Sequence, residues 1–315
     1  MAKTKFLFTT DLHGSEQVWR KFLNSARYLG LDAIIMGGDI TGKMIVPITN
    51  RGDGKWDAYR AGKDYVLSES ELAEFESTLR FSGYYPYRTT KANVAAIDAD
   101  KKRFDALFDE IMSSELERWL ELIPDRVPDR VKVIITPGND DRFCIDEVLK
   151  KNSNVLYGEG TVVNLDGVHE LVSCGWSNPT PWNSPRECSE EELKRKYEAS
   201  IEEVEDLEKS IFNFHVPPYD SQIDYAPKLT SDLKVEYEGG KPRLVPVGSK
   251  ACREMIESYQ PLLGLHGHIH ESFGFCRLGR TVCLNPGSEY AEGILRAFVI
   301  EVENGKIKKQ QRLES

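Results

Sequence analysis

The sequence predicts an α/β fold in which two sheets pack against each other and helices flank them. Short apolar runs alternate with stretches of helical periodicity, as in parallel strands joined by crossover helices. Five of the apolar runs also end directly in a cluster of polar residues. Loops at the carboxyl ends of strands share one rim of an open α/β sheet, so residues spread over ~260 positions are expected to converge there.

The first elements form a β-α-β unit. Residues 4–10 and 32–37 are apolar runs of strand length, and residues 16–29 carry apolar side chains at helical spacing. A crossover of this kind is right-handed and makes its two strands parallel.

A predicted insertion follows at about residues 43–128. An Asp-Gly pair separates two strand-like runs within 44–65, which favours a hairpin. Ser68 and Glu71 then form a capping box, and a longer helical pattern covers 98–123. We therefore predict a hairpin followed by two helices. Insertions at this rim commonly shape an active site, and the alternative is that the helices only pack on the flank of the sheet.

After the insertion the chain returns to the sheets, and residues 1–315 are expected to form a single domain. Ser189 and Glu192 make a second capping box before a charged helix. A turn-rich segment covers 217–248 and another helix covers 249–259. The last four strand patterns suggest a closing β meander. The predicted strands of this part are residues 131–136, 154–157, 161–165, 168–174, 262–266, 272–276, 281–284, 295–302 and 306–312.

Composition limits the class of protein. The chain has 315 residues, of which 40% are hydrophobic, so it can build a full core. Its net charge of −10 makes nucleic acid an unfavoured partner. The six cysteines include no CxxC pair, as expected for free thiols in a reducing compartment. No run of about 18 apolar residues exists, so we expect a cytoplasmic protein without a membrane partner, and its oligomeric state stays open.

The five polar clusters contain the residue types of a metal centre, since aspartate and neutral imidazole are usual ligands of Mn²⁺, Fe and Zn²⁺. Two clusters have the spacing DxH or HxH, which on extended backbone puts both side chains on one face. Each cluster alone has a simpler interpretation, such as a turn or a packed histidine. The occurrence of all five clusters in this order makes a chance match improbable. The candidate ligands are Asp11, His13, Asp39, Asn139, His215, His268 and His270.

This ordered set resembles the calcineurin-like metallophosphoesterase family, whose pattern is DxH, GD, GNH followed by an acid, a lone His, and GHxH. The resemblance spans residues 11–270. It implies a four-layer α/β/β/α sandwich. Further phrases resemble a prokaryotic branch related to cyclic-AMP phosphodiesterases, at residues 175–182, 215–218, 247–249 and 285–288.

The resemblance implies two divalent ions, Mn, Fe or Zn with Mn favoured, and a hydroxide between them that attacks phosphorus. The substrate would be a small phosphodiester, or else a phosphomonoester. Two alternatives stay open: a DNA nuclease of the same fold, and a non-catalytic binding module that retains the fold. By position, one ion is assigned to Asp11, His13, Asp39 and His270, and the other to Asp39, Asn139, His215 and His268.

One position departs from the family pattern. Asp140 follows Asn139 where the family has a histidine facing the substrate, and Asp141 takes the acidic position. We assign catalytic roles to Asp39, Asn139 and Asp140. With an ordinary pKa of about 3.9, an aspartate is a poor proton donor at neutral pH. We therefore expect esters with good leaving groups to react faster than alkyl esters.

Several neighbours of these clusters are given supporting roles. His266 is expected to pack or hydrogen-bond beneath the HxH loop, and Asn285 and Ser288 to support the site. Lys43 and the hairpin near 51–55 are expected to adjoin it. Three tryptophans could offer a stacking surface, but we favour buried packing for Trp56, Trp176 and Trp182.

Overall fold

The computed structural model describes residues 3–315. In that range the strands are β1 Lys3–Thr9, β2 Ala33–Met36, β3 Met44–Asn50, β4 Lys55–Arg60, β5 Lys63–Ser68, β6 Tyr84–Thr89, β7 Lys132–Ile135, β8 Leu156–Tyr157, β9 Val162–Asn164, β10 Glu170–Cys174, β11 Ile211–Phe214, β12 Tyr225–Pro227, β13 Tyr237–Glu238, β14 Lys241–Pro242, β15 Leu244–Pro246, β16 Leu263–Leu265, β17 Gly274–Leu278, β18 Thr281–Asn285, β19 Arg296–Glu303 and β20 Lys306–Glu314. The helices are α1 Glu16–Tyr28, α2 Leu72–Phe81, α3 Lys91–Asp98, α4 Lys101–Leu120, α5 Ile123–Arg126, α6 Cys144–Lys151, α7 Glu190–Ile201 and α8 Lys250–Tyr259.

Two six-stranded sheets form the centre of the molecule. Their strand orders are β20-β19-β1-β2-β7-β8 and β17-β18-β16-β11-β10-β9. Four neighbouring strands are parallel in each sheet, β1, β2, β7 and β8 in the first and β18, β16, β11 and β10 in the second. The predicted parallel β-α-β opening is therefore confirmed.

Alternation along the strands produces four layers. Phe6 and Phe8 of β1 belong to the core between the two sheets, whereas Leu7 belongs to the core that includes Trp19 of α1. Successive strand side chains point to opposite faces, so β1 serves both cores at once. A third core joins α7 and α8 to the far face of the second sheet. Burying one such Phe or Leu side chain contributes about 1.5–3 kcal/mol to the stability of the fold. The four layers confirm the predicted α/β/β/α sandwich.

The insertion differs in detail from the prediction. The predicted hairpin is present as β3 and β4, but it is part of a four-stranded sheet of order β5-β4-β3-β6 with its own small core. The strand β6 was not predicted, and it tolerates Pro86 because it is an edge strand. The predicted helix at 98–123 is interrupted, because the Asp100 side chain accepts bonds from the N–H groups of Lys102 and Arg103 and starts α4 anew.

Two further differences concern the rest of the chain. The closing strands do not form one meander, since β17 and β18 pair in the second sheet and β19 and β20 in the first. Helix α6 was not predicted, because only Ile145 and Leu149 of its eight residues are buried apolar side chains. The six cysteines are free, as predicted. Within residues 3–315, no helix combines the length and the apolar character needed to cross a bilayer.

Candidate metal centre

The five predicted polar clusters meet at one rim, where β1, β2 and β7 of the first sheet and β11 and β16 of the second sheet end. We call the seven candidate ligands the rim cluster. The structure brings all seven together, although the five loops come from both sheets. The members are Asp11, His13, Asp39, Asn139, His215, His268 and His270.

Asp39 lies at the middle of the rim cluster. Its Oδ2 atom is 3.7 Å from His13 Nε2 and 3.5 Å from His215 Nε2. Donor atoms of Asp11, His13 and His270 form one group within 4.8 Å of one another, and those of Asp11, Asp39 and His215 form another. The His13 and His270 Nε2 atoms are 3.0 Å apart. These groups have the composition and the spacing of metal ligands.

The two histidines of the HxH motif have different neighbours. His270 Nε2 lies 3.3 Å from Asp11 Oδ1. His268 Nδ1 instead lies 2.7 Å from Asn139 Oδ1, and its ring centroid is 5.5 Å from that of His215. The HxH loop therefore contributes to two sides of the rim cluster.

The backbone of the loops is not extended, and that part of the prediction was wrong. Asp11, His13, Asp39 and His268 have φ angles of 58°, 43°, 51° and 65°. Left-handed backbone at non-glycine residues costs about 1–3 kcal/mol each and concentrates at functional sites. The DxH and HxH spacings bring their side chains together through tight turns rather than through the alternation of a strand.

Two glycines allow the loops to approach each other. A Cβ atom on Gly138 would lie 2.2 Å from Asp39 Oδ1, and one on Gly267 would lie 2.3 Å from Asp11 Oδ2. No larger residue fits at either position without moving a carboxylate of the rim cluster.

The predicted supporting residues bond to the loops rather than to the centre. Asn285 Nδ2 donates to the carbonyl groups of Gly267 and Ile269, and the Ser288 hydroxyl donates to the Asp11 carbonyl. His266 is buried, and its Nδ1 lies 2.7 Å from the Phe214 carbonyl. The expectation that these side chains support the site is consistent with these bonds.

Sequence reasoning missed the structural role of Asp141. Its buried carboxylate accepts bonds from the N–H groups of Ile40, Thr41 and Gly138, and from the Thr41 hydroxyl. It thereby ties the Asp39 loop to the Asn139 loop. An aspartate two residues after a buried asparagine gave no signal of this, because its partners on the Asp39 loop lie about 100 positions away in the chain.

The electrostatics of the rim cluster suit a bound cation. Burial and the charge of Asp140 raise the pKa of Asp39 to about 6. Burial lowers the pKa of His215, but the charge of Asp39 outweighs this and raises it to about 9. The buried atoms His13 Nδ1 and His215 Nε2 have no hydrogen-bond partner in the described structure. Imidazole nitrogens without a hydrogen-bond partner beside crowded carboxylates are suited to bind divalent metal ions. Such ions would stabilise the ionised carboxylates and the neutral imidazoles.

Lys43 of the insertion reaches the site, as predicted. Its ammonium group contacts the Asp140 carboxylate. Burial alone would raise the pKa of Asp140, but Lys43 and Ser184 lower it by more, so the pKa lies below the ordinary value. Asp140 is thus an ionised partner of Lys43. It also forms a group with His13 and Asp39 that could hold a metal ion.

The main cavity opens beside the rim cluster and has a volume of about 530 Å³. Asp39, Lys43 and Asp140 line one side, and the segments 179–182 and 226–247 provide most of the rest. The hairpin residues 51–55 are not among its lining residues, which differs from the prediction. A second cavity of about 330 Å³ also has Lys43 in its lining, together with His13, Arg60, Ser82, Tyr84 and Tyr290 among others.

The prediction of buried packing was wrong for Trp182. Its side chain is 62% exposed and lines the main cavity. Trp176 is half-buried and contacts Lys196, whose ammonium lies 3.9 Å from the ring centroid. Trp56 is half-buried and donates to Glu69 Oε2.

The chain belongs to the calcineurin-like phosphoesterase family. The sequence profile of that family matches residues 4–272. The family predicted from the ordered motifs is thereby confirmed.

Three relatives illustrate the similarity. The chain is 33% identical over 161 residues to the uncharacterized protein MJ1162 of Methanocaldococcus jannaschii, an alignment that covers 50% of this chain and 65% of that protein, less than two thirds of its length. The crystal structure of TT1561 of Thermus thermophilus aligns over 99% of both chains with a TM-score of 0.52 and 14% identity. Another crystal structure aligns over 98% of this chain and 99% of its own, with a TM-score of 0.57 and 15% identity. At these identities the structures show the fold alone.

Proposed function

We propose that this chain is a binuclear metal-dependent phosphoesterase. The position of Asp39 carries the proposal, since its carboxylate lies between His13 and His215, at 3.7 Å and 3.5 Å from their Nε2 atoms. A carboxylate between two imidazole groups is suited to bridge two ions. When bound, two divalent ions would activate water and neutralise charge on the phosphoryl oxygens.

The residues around Asp39 support the two ligand sets that the family resemblance implies. One set is Asp11, His13, Asp39 and His270, and the other is Asp39, Asn139, His215 and His268. Oxygen and imidazole donors accept Mn, Fe or Zn, and Mn is our favoured ion. The unpartnered Nε2 of His215, which faces Asp39, supports the assignment of His215 as a ligand.

Lys43 and Asp140 together take the place of the family histidine in this proposal. The ammonium group of Lys43 contacts Asp140, and both residues line the main cavity together with Asp39. Burial lowers its pKa, but the charges of Asp39 and Asp140 raise it above the ordinary value, so the group stays protonated. Asp140 holds Lys43 in position, and Lys43 stabilises negative charge on the phosphoryl group and the leaving oxygen. Asp140 itself is not the proton donor.

Two cavities beside Lys43 favour a diester over a monoester. The main cavity and the second cavity both include Lys43 among their lining residues. A phosphate held between them could extend one ester group into each. A monoester would leave one cavity empty.

Hydrolysis assays test this function. Protein stripped with a chelator should be inactive, and Mn²⁺ should restore hydrolysis of bis-p-nitrophenyl phosphate more strongly than that of p-nitrophenyl phosphate. Magnesium-free buffer with no added ion is the control. A protein that hydrolyses neither ester with Mn²⁺, Fe²⁺ or Zn²⁺ would contradict the proposal.

The two alternatives predict different outcomes. A nuclease would degrade DNA at a rate that falls steeply with salt, because binding to phosphates releases counterions. A binding module would take up metal without hydrolysing any ester. The net charge of −10 supports a small phosphoester as the substrate, and a cytoplasmic location remains our prediction.

A further inference from the structure

We propose that the substrate carries a flat aromatic ester group that stacks on Trp182 in the main cavity. The inference rests on the proposed function, because it places the phosphate at the rim cluster. It adds the substrate class: aryl or heteroaryl phosphoesters, selected by contact rather than by hydrogen bonds.

The first argument is continuity between the chemistry and the apolar wall. Asp39, Asn139 and His268 line the same cavity as Trp182. A phosphate at the rim cluster therefore directs an ester group along that wall. A volume of about 530 Å³ is within the range of small-molecule sites, roughly 300–1,000 Å³.

The second argument is the way in which Trp182 is presented. The Glu187 carboxylate accepts bonds from the Thr180 N–H, the Thr180 hydroxyl and the Ser184 N–H. The Thr180 hydroxyl in turn accepts the backbone N–H of Trp182 at 3.1 Å. These bonds fix the backbone of the segment 180–184, which carries Trp182 to the cavity lining, where 62% of the residue is exposed. An exposed aromatic ring on a fixed backbone has only two side-chain torsions to order, so it is a stacking surface that loses little entropy on binding.

The third argument is the chemistry of the facing wall. The strands β12 and β15 pair and, with the loops beside them, provide an apolar surface. Two polar side chains of the cavity already have partners, since Lys228 Nζ lies 3.0 Å from Glu236 Oε2 and Thr180 is bound to Glu187, whereas the Glu271 carboxylate also lines the cavity. Few donors or acceptors are left to distinguish one ring from another. The apolar lining residues are Pro179, Pro181, Ala226, Pro227, Leu229, Val235, Val245 and Val247.

Binding of three phosphonates to the Mn²⁺-loaded full chain tests the inference. Methyl-, cyclohexyl- and phenylphosphonate share one phosphoryl group, and their P–C bond resists hydrolysis. Calorimetry should show that phenylphosphonate binds roughly five- to 150-fold more tightly than methylphosphonate. This range corresponds to the about 1–3 kcal/mol contributed by stacking one base on an aromatic side chain, at about 1.4 kcal/mol per factor of ten in affinity. Cyclohexylphosphonate should fall between them, because it is apolar but not flat.

The variants assign the effect to Trp182. Trp182→Ala should reduce the preference for the phenyl compound to less than about twofold, and Trp182→Phe should retain most of it. Tyr237→Ala is the matched control, because Tyr237 is 68% exposed in the turn-rich segment but does not line the cavity. Equal affinities for the three compounds in the native protein, or a preference that survives Trp182→Ala, would overturn the inference. If methylphosphonate fails to bind even with Mn²⁺ present, the proposed function itself fails.

Discussion

The rim cluster and the wall of the main cavity are adjacent but are built in different ways. Asp11, His13, Asp39, Asn139 and His215 are at most 2% exposed and lie on tightly packed loops, three of them with strained backbone. The wall around Trp182 consists mainly of apolar residues in the 179–182 loop and in the short ribbon of β12 and β15 with its adjoining loops. Strain and close packing preserve one arrangement of the metal-ligating atoms, whereas a wall made of exposed connecting segments tolerates substitution of its residues. The difference suggests that the rim cluster determines the reaction and the wall determines the substrate.

The largest expected effect is that of a change at the centre of the rim cluster. Asp39→Asn should lower kcat/KM for bis-p-nitrophenyl phosphate by ~10³-fold or more, because loss of metal-ion stabilisation removes several kcal/mol. Steady-state kinetics in Mn²⁺ measure this. The exposed Asp98→Asn is the matched control and should leave the rate unchanged. Activity retained in Asp39→Asn would mean that Asp39 is not part of the metal centre.

A change in packing beside the rim cluster should have the next largest effect. Gly138→Ala places a Cβ atom 2.2 Å from Asp39 Oδ1. Its metal affinity should fall roughly 10–100-fold, which is the range seen when groups that orient metal ligands are lost. Gly160→Ala adds the same methyl group at a left-handed φ of 63° but in open space, and should bind Mn²⁺ normally. Equal losses of affinity in the two variants would show that the contact with Asp39 is not the cause.

The contribution of Lys43 should depend on the leaving group. Lys43→Met should reduce kcat roughly 10²-fold for alkyl esters, which is the size expected for one lost donor to a developing charge, and less for nitrophenyl esters. Lys43→Arg should recover part of the loss because it retains the charge. Lys55→Met, at the exposed hairpin tip, should have no effect.

The leaving-group dependence also separates Lys43 from Asp140. Asp140→Asn should weaken the position of Lys43 and give a smaller version of the same defect. Asp140→His should narrow the gap between good and poor leaving groups, because imidazolium can donate a proton. Equal rates for both ester types in the native protein would show that the leaving group needs no assistance.

The smallest expected effect concerns the start of the segment that carries Trp182. The Gly175 N–H donates to Glu159 Oε2 at 2.6 Å, and burial raises the pKa of Glu159 from 4.5 to about 7. The folded state therefore favours the neutral carboxyl. Stability is unaffected below pH 4.5, falls as the pH rises from 4.5 to about 7, and stays reduced above it.

Glu159→Gln removes this ionisation. The unfolding free energy of the variant minus that of the native protein should be roughly 1–3 kcal/mol more positive at pH 8 than at pH 4. Urea unfolding at both pH values measures the gain. The metal affinity should not change, because the residue lies outside the rim cluster. A difference between the two proteins that is independent of pH would contradict the raised pKa.

The same comparison explains what could be predicted from the sequence. Asp11, Asp39 and His268 each follow a short apolar run, and parallel strands bring such ends together whatever the intervening segments do. The contact between Lys43 and Asp140 joins residues on different loops, and no local pattern encodes it. The conformation of the left-handed DxH turn was likewise unpredictable, because the N–H groups of Asp11 and His13 bond to carbonyl groups of the Asp39 loop, which is distant in the sequence.

The exposed wall was the least predictable region. Trp182 lies among prolines and polar residues, and the backbone of its segment is fixed by bonds to Glu187 and Thr180. The ribbon of β12 and β15 has short strands within a turn-rich segment, and its pairing follows from tertiary contacts rather than from periodicity. In the insertion, β6 pairs in parallel with β3, about 40 positions earlier, and a hairpin signal cannot indicate such a partner.

A crystal structure of the Mn²⁺-loaded protein tests the central claim most directly. Anomalous scattering should show two peaks ~3.5–4 Å apart, with the Asp39 carboxylate bound to both. His13 should be a ligand on one side, and Asn139 and His268 on the other. A single peak, or two peaks with Asp39 and Asn139 turned away from them, would contradict the binuclear centre on which the proposed function rests.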